Sequence, residues 1–262
     1  MFTQSSHAER ASGSHDGRVT LANGRVLEGE ELEFAGSEEA ARNLRDLARI
    51  NRWFGGHRSL AQIVRPLVDP SEAFSVLDVG AASGDMGETI RRRFHGASVT
   101  SLDRHAVHMR RAPGAKVAAD AFHLPFGPAT FDLVLCSSLL HHFSNAQAIE
   151  LIADLHSLAR RALILMDIER HSLAHGFLPW TKRLFQWSEL TVHDGSISVA
   201  AAFRPNEMAA LVEAALTTPV AVRRHRPWFR MSVVIPARPC AVQKRAACSS
   251  VGSAQQYQGS VR

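Results

Sequence analysis

The stretch VLDVGAASGDMG, Val76 to Gly87, runs from an apolar, β-branched segment into a glycine-rich turn and on into a helix-like segment. A second apolar segment, Val99-Thr-Ser-Leu-Asp103, follows and closes on a carboxylate. Strand, glycine turn, helix, strand and acid in that order grip a nucleoside-bearing ligand. The turn's backbone approaches the ligand closely, and the acid accepts from both ribose hydroxyls.

Outward from this stretch the same alternation continues. Strands are expected at Ser75–Val79, Ser98–Leu102, Lys116–Ala119, Phe131–Cys136 and Ala162–Met166, with helices at Asp85–Phe94, His105–Arg111 and Ala146–Ala159. Such alternation builds an α/β fold, a mostly parallel sheet with helices on both faces. Beyond it, helices are expected at Ser172–Trp187 and Pro205–Ala215, and strands near Val220–His225 and Phe229–Ile235. The last two strands are joined by too few residues for a parallel crossover, so they pair antiparallel. Upstream, Ser37 reads as the N-cap of a helix with Glu38 and Glu39 in its first turn, and a second short helix fits Arg58 to Val68. Residues 1–36 are polar and turn-rich and read as a mobile extension. Residues 37–236 form the domain, and 237–262, low in apolar content, read as a disordered basic tail.

Composition narrows the class. Of 262 residues, 45% are hydrophobic and 21% charged, ordinary for a globular chain. No apolar run approaches the roughly 20 residues that cross a bilayer, and the N-terminus lacks a signal-peptide core. Cys136, Cys240 and Cys248 have neither paired nor metal-ligand spacing, so cytoplasmic residence is expected. The net charge of +5 is uneven: eight acids stand against three arginines in the first forty residues, while the tail is wholly basic. Uneven charge at the termini argues against a nucleic-acid surface.

The marked residues converge on the carboxyl ends of the strands, where open α/β sheets bind ligands. Asp78 and Gly80 close the first strand, Ala81, Ala82, Ser83 and Gly84 form the turn, Asp103 closes the second strand, Asp120 the third, and Cys136–Ser138 the fourth. Any one of these acids alone reads equally as a helix cap or a solvated loop residue; three at consecutive strand ends do not. Clustered acids repel a pyrophosphate and suit a ligand with a ribose diol, an amino group and cationic centres. S-adenosyl-L-methionine has all of these.

VLDVGAASG, then SLDR, then ADAFHLPFGPATFDLVLCSSLLHHF from Ala119 to Phe143 resembles the class I S-adenosylmethionine-dependent methyltransferases. The resemblance is nearest to small-molecule enzymes of the ubiquinone/menaquinone-biosynthesis type and spans about Ile50 to Ile235. It includes Asn51-Arg-Trp-Phe-Gly-Gly-His-Arg58 before the first strand. It implies a Rossmann-like seven-stranded sheet, mostly parallel, with an antiparallel last strand. It further implies that Gly80, Ala82 and Gly84 pass beneath the cofactor's methionine, and that Asp78 helps hold its ammonium. Asp103 takes the ribose, Arg104 covers the adenine, and Asp120 with the Ala121 amide reads the adenine edge. The Cys136–Ser137 backbone faces the methionine. Ala82 departs from the family's central turn glycine and is acceptable if its φ is negative.

The implied reaction is methyl transfer to a small, aromatic or hydrophobic acceptor, on oxygen or carbon. An oxygen nucleophile needs a general base, and His141 or His142 beside the fourth strand suits it, the alternative being structural histidines. His57, His193 and Asp194 are weaker candidates. Leu173, Phe177, Trp180, Leu184 and Trp187 mark one apolar helix face. It is read first as packing on the domain and second as a substrate lid formed by Phe177, Trp180 and Trp187. Lys182 and Arg183, like the Arg42–Arg52 stripe, are solvated faces or peripheral membrane contacts. Asp167 and Glu169 alone suit a metal-assisted route, so no metal is expected. A nicotinamide-dependent reductase would need Tyr-x-x-x-Lys, but the only tyrosine, Tyr257, has Val261 four residues on. A catalytically silent cofactor-binding module is the remaining alternative.

Overall fold

The computed structural model describes residues 12–13, 18–21, 23–29, 32 and 36–237. In chain order the elements begin with β1 (Ser12–Gly13), β2 (Val19–Thr20) and β3 (Val26–Leu27), then α1 (Ser37–Trp53), α2 (Gly56–Val64), β4 (Phe74–Val79) and α3 (Asp85–Arg93). There follow β5 (Ala97–Asp103), β6 (Ala115–Ala118), β7 (Phe131–Ser137), α4 (Asn145–Leu158) and β8 (Ala159–Ile168). The chain continues through α5 (Ser172–Phe185), α6 (Glu189–Ala201), α7 (Pro205–Leu216), β9 (Arg223–His225) and β10 (Arg230–Pro236).

Seven strands form one sheet in the order β6-β5-β4-β7-β8-β10-β9. β4 pairs parallel with β5 and β7, β5 with β6, and β7 with β8, whereas β10 lies antiparallel between β8 and β9. One strand therefore runs against the other six, the Rossmann-like arrangement expected from the chain's alternation and its family resemblance. Val79 stands opposite Leu102 on one side and Cys136 on the other, so β4, β5 and β7 end at one level. The chain moves outward from β4 through β5 to β6 and then returns to β7. That reversal opens a crevice at the carboxyl end of β4.

Alternation along each strand supplies both faces with apolar groups. Leu77, Val79, Val134 and Leu163 pack beneath α4 and α7, against Leu151, Leu155, Leu211 and Val212. Val76, Leu133, Leu135 and Ile164 face α2 and α3, meeting Leu60, Val64 and Ile90. Most of these side chains are fully buried, each contributing about 1.5–3 kcal/mol of transfer free energy.

Several boundaries differ from expectation for local reasons. The helix expected at His105–Arg111 is only a 3-10 turn at His108–Arg111, because Asp103 Oδ1 accepts the His105 N–H (2.8 Å) and turns the backbone first. Gly36, not Ser37, is the N-cap of α1. The second helix begins at Gly56 and hands over to a 3-10 turn at Arg65–Leu67. The segment expected as one helix to Trp187 stops at Gln186, whose φ is 56°, and restarts as α6 after Ser188 caps Thr191 N–H. The strand expected at Val220–His225 keeps only Arg223–His225.

The mobile N-terminal extension is corrected where it is described. β3 contacts α6, and Arg25 is fully buried. Its guanidinium donates to the carbonyls of Ala201 (2.6 Å), His141 (2.9 Å) and Phe143 (3.0 Å) and to Asn145 Oδ1 (2.9 Å). It also lies 3.6 Å over the Phe203 ring. The expected tail from 238 onward lies outside the described residues. Among the described residues no helix is long and apolar enough to cross a membrane.

Candidate active site

The glycine turn after β4 is held from both ends. Ala81 N–H donates to Leu102 O (3.0 Å), Gly84 N–H to Ala81 O (2.7 Å), and Ala82 N–H to Asp103 Oδ2 (2.9 Å). Gly84 has φ 74° and lies against the loop after β5, where an added Cβ would sit 2.4 Å from Ala112 Cβ. Only glycine satisfies both demands. Ala82 has φ 46°, not the negative value expected of an alanine there. The hydrogen bond to Asp103 fixes its amide, and the turn imposes the left-handed conformation at a cost of about 1–2 kcal/mol.

Asp78 is 2% exposed and accepts the Gly87 N–H (3.1 Å). Burial, with Asp85 and then Asp103 nearby, pushes its carboxyl up to about 7, the Gly87 hydrogen bond acting the other way. Asp103 accepts through both oxygens, from Ala82 and His105. Arg104 and Asp120 are exposed, Ala121 is half-buried, and Asp120 Oδ1 accepts the Phe122 N–H (2.9 Å). Cys136 is buried, and desolvation followed by the Asp167 and Asp78 charges raises its thiol well above the ordinary value.

A cavity of about 320 Å³ opens beside this turn. Asp78, Gly80, Ala81, Ala82 and Ser137 line it. Gly84, Asp103, Arg104, Asp120, Ala121 and Cys136 lie outside its wall, on the turn and at the neighbouring strand ends. The far wall is apolar, with Leu47 of α1, Phe54 at the C-cap of that helix, Phe177 of α5 and Trp228 of the final hairpin. Phe54 meets Phe177 edge-on at 4.7 Å and Trp228 at 5.8 Å.

The stripe expected along α5 is split by this packing. Phe177 lines the cavity, but Leu173, Trp180 and Leu184 are 52%, 73% and 77% exposed, so Trp180 is no lid and the stripe is no single packed face. Leu178 packs on Gly195 of α6, which fixes how α5 is rotated. Trp187 is buried behind the cavity, stacked on Phe185 at 5.2 Å with its indole N–H donating to Thr181 Oγ1 (3.1 Å).

His141 and His142 occupy the turn after β7, and both touch the cavity. They differ in support. His141 is 2% exposed, and its Nδ1 lies 2.7 Å from Asp167 Oδ1; His142 is exposed and packs on the His141 ring at 4.3 Å. Burial pushes the Asp167 carboxyl up, yet the His141 imidazole, the Ile168 N–H and His142 outweigh it and leave it below the ordinary value. An ionised Asp167 only accepts, so His141 Nδ1 carries the proton and Nε2 is the basic nitrogen. Of the weaker candidates, Asp194 is buried on the cavity wall with His193 Nδ1 3.5 Å away, while His57 Nε2 pairs with Asp85 Oδ2 at 2.7 Å. Among the described residues no group of three or more His, Cys, Asp or Glu is placed to hold a metal ion.

Asn43, Asn51, Asp85 and Arg230, polar residues of the cavity wall, were given no site role from sequence. Asp85 accepts from Asn51 Nδ2 (3.0 Å) and pairs with His57; despite burial these bonds hold its carboxyl low. Arg230, 4% exposed, donates to Asn51 Oδ1 (2.7 Å), and Asn43 on α1 is 1% exposed. An arginine opening the apolar run Met231–Ile235 was the one available signal for Arg230.

Residues 76–162 match the family model of a methyltransferase domain. Over that stretch the chain is similar to methyltransferase domains. Its backbone is similar to that of a Nostoc punctiforme PCC 73102 protein assigned as an O-methyltransferase, at 17% identity and TM-score 0.51, over 68% of this chain and 56% of that one. It is also similar to the plantazolicin methyltransferase BpumL in complex with SAH, at 12% identity and TM-score 0.61, over 79% and 93%. Human N-acetylserotonin methyltransferase in complex with SAM matches at 13% identity and TM-score 0.58, over 81% and 61%. At these identities the methyltransferase likeness is one of fold, and the chain spans little more than half the length of the Nostoc protein. No curated protein matches the chain.

Proposed function

We propose that this chain transfers a methyl group from S-adenosylmethionine to an oxygen or carbon of a small, hydrophobic, aromatic acceptor in the cytoplasm. The observation that carries this reading is the juxtaposition, in one cavity, of the glycine turn, the buried Asp78, His141 with Asp167 behind it, and the aromatic wall of Phe54, Phe177 and Trp228. The residues present suit the cofactor. Among the described residues Asp78 is a buried acid with no ion-pair partner, so an ammonium group there offsets the burial that raises it. Asp103 keeps accepting capacity for two hydroxyls beyond its two backbone donors.

When bound, the cofactor supplies an electrophilic methyl carbon attached to sulfonium sulfur. Asp78 and the close backbone of the turn would hold the methionine end, while Asp103 would take the ribose with Arg104, Asp120 and Ala121 flanking the adenine. Gly84 and Cys136 shape the floor without lining it. The aromatic wall excludes water and orients the acceptor ring, and orientation alone supplies a large share of the rate. For a hydroxyl acceptor, His141 Nε2 receives the proton as the oxygen attacks. Asp167 keeps that nitrogen basic and stabilises the imidazolium formed. Acceptors resembling quinone or polyketide precursors match the wall's chemistry.

Calorimetry with S-adenosylhomocysteine tests the cofactor half: Asp103→Ala is expected to weaken binding about tenfold or more, and unchanged binding would sink the assignment. Mass spectrometry of phenolic acceptors tests the chemistry. His141→Gln is expected to lower kcat for hydroxyl acceptors by about 10²–10⁴ while leaving S-adenosylhomocysteine affinity intact. Full retention of activity would make His141 structural.

A further inference from the structure

The acceptor end of the cavity contains a cation that the reaction outlined above leaves unused. Arg230 opens β10, is 4% exposed and lines the cavity. Two of its guanidinium nitrogens are occupied: Nη2 donates to Asn51 Oδ1 (2.7 Å) and Nε faces Phe54 O (3.4 Å). Among the described residues the third, Nη1, is buried without a hydrogen-bond partner, and no carboxylate there forms an ion pair with the group. Burial pulls the guanidinium down from its ordinary value, with Asp85 and Asp167 acting the other way from a distance.

A buried donor left unsatisfied costs about 1–3 kcal/mol, more when charged. Such a group in a folded protein calls for an explanation. Asn43 on the same cavity wall repeats the pattern, since neither Nδ2 nor Oδ1 has a partner among the described residues. Asn43 and Asn51 lie eight residues apart on α1, about 12 Å at 1.5 Å per residue, with the apolar Leu47 and Ile50 between them. The cavity thus has an apolar middle and an unspent polar group near each end.

We infer that the acceptor carries a carboxylate-like anionic oxygen group, and that Arg230 Nη1 takes it at the β10 end of the cavity. This rests on the methyltransferase reading. The neighbours of Arg230 favour the acceptor over the cofactor's own carboxylate: Nη2 is spent on Asn51, the link to Asp85 and the glycine turn, while Nε faces the carbonyl of Phe54 in the aromatic wall. A carboxylate gripped by guanidinium is a weakened nucleophile, so this group is a recognition handle, and methylation falls elsewhere on the molecule.

The test uses the whole 262-residue chain saturated with S-adenosylhomocysteine and two probes of one shape, 1-naphthoate and its neutral analogue 1-naphthamide. By calorimetry the natural chain is expected to bind naphthoate at least about tenfold more tightly than the amide. In Arg230→Met the two are expected to bind within about threefold of each other, with S-adenosylhomocysteine affinity unchanged. Arg230→Lys, which keeps the charge without the fork, retains a reduced preference for naphthoate. If Arg230→Met does not fold, Arg230→Gln, which preserves a donor toward Asn51, takes its place. Absent naphthoate binding, equal binding of the two probes by the natural chain, or a preference that survives in the variant overturns the inference. So does a variant that loses S-adenosylhomocysteine affinity instead, because the guanidinium then serves the cofactor. If the natural chain fails to bind S-adenosylhomocysteine at all, the methyltransferase reading falls, and the same probe comparison without it decides Arg230 by itself.

Discussion

Ala82 occupies left-handed backbone, φ 46°, in a turn whose other bends are glycines. Ala82→Gly removes that steric penalty and gives back part of it as chain entropy, so a net gain of up to about 1 kcal/mol is expected in urea unfolding. A loss would mean that the Cβ packs usefully. Asp78 carries a different tension. Its folded value of about 7 lies above the ordinary 3.8, so folding favours the protonated acid. The stability it contributes is full below pH about 4 and drains away as pH climbs through about 7. Ligand binding wants the opposite, an ionised Asp78, so S-adenosylhomocysteine affinity should fall as pH drops below about 7. Asp78→Asn should flatten the stability slope, melt later than the natural protein at pH about 8, and lose about tenfold or more in affinity. Melting and calorimetry across pH check both halves. At this scale the sequence marks Asp78 and Asp103 as acids at strand ends. It does not distinguish His141 from His142, because Asp167, which separates their roles, lies 26 residues away along the chain.

At the scale of elements, β4, β5, β7 and β8 were legible because β-branched, apolar runs between turn residues have one good solution. α6 was not, because its apolar residues are spread around the helix and it packs on α1, α5 and β3 at once. α5 shows how contacts override a stripe. Trp187→Ala is expected to cost about 3–5 kcal/mol through lost aromatic packing, whereas Trp180→Ala should stay within about 0.5 kcal/mol. Equal effects in chemical denaturation would contradict the rotation assigned to α5. The ribbon around β3 was read as mobile because it is short and polar, yet one residue anchors it. Arg25 serves three carbonyls and a side-chain amide from inside the fold, so Arg25→Met leaves those acceptors unsatisfied, with an expected loss of about 2–4 kcal/mol.

For the whole molecule, the sheet order and its reversal beside β4 place the glycine turn and the aromatic wall in one crevice, and two families of contacts close it: α1 with the final hairpin on one side, α5 with α6 on the other. A ligand that binds only this assembled state should stabilise all of it. S-adenosylhomocysteine at a hundred times its dissociation constant is expected to add about 2.7 kcal/mol, visible as a rise in melting temperature. The arginine anchor has a further consequence, in time. Arg25 reaches partners 116, 118, 120 and 176 positions later in the chain. Contacts spanning such separations close after local ones, since each carries a large loop-closure entropy. A segment synthesised before its partners is therefore fitted after them, onto carbonyls of the turn that carries His141. Refolding experiments should find the sheet restored before that turn is clamped. Arg25→Met should accelerate unfolding while leaving the folding rate almost unchanged.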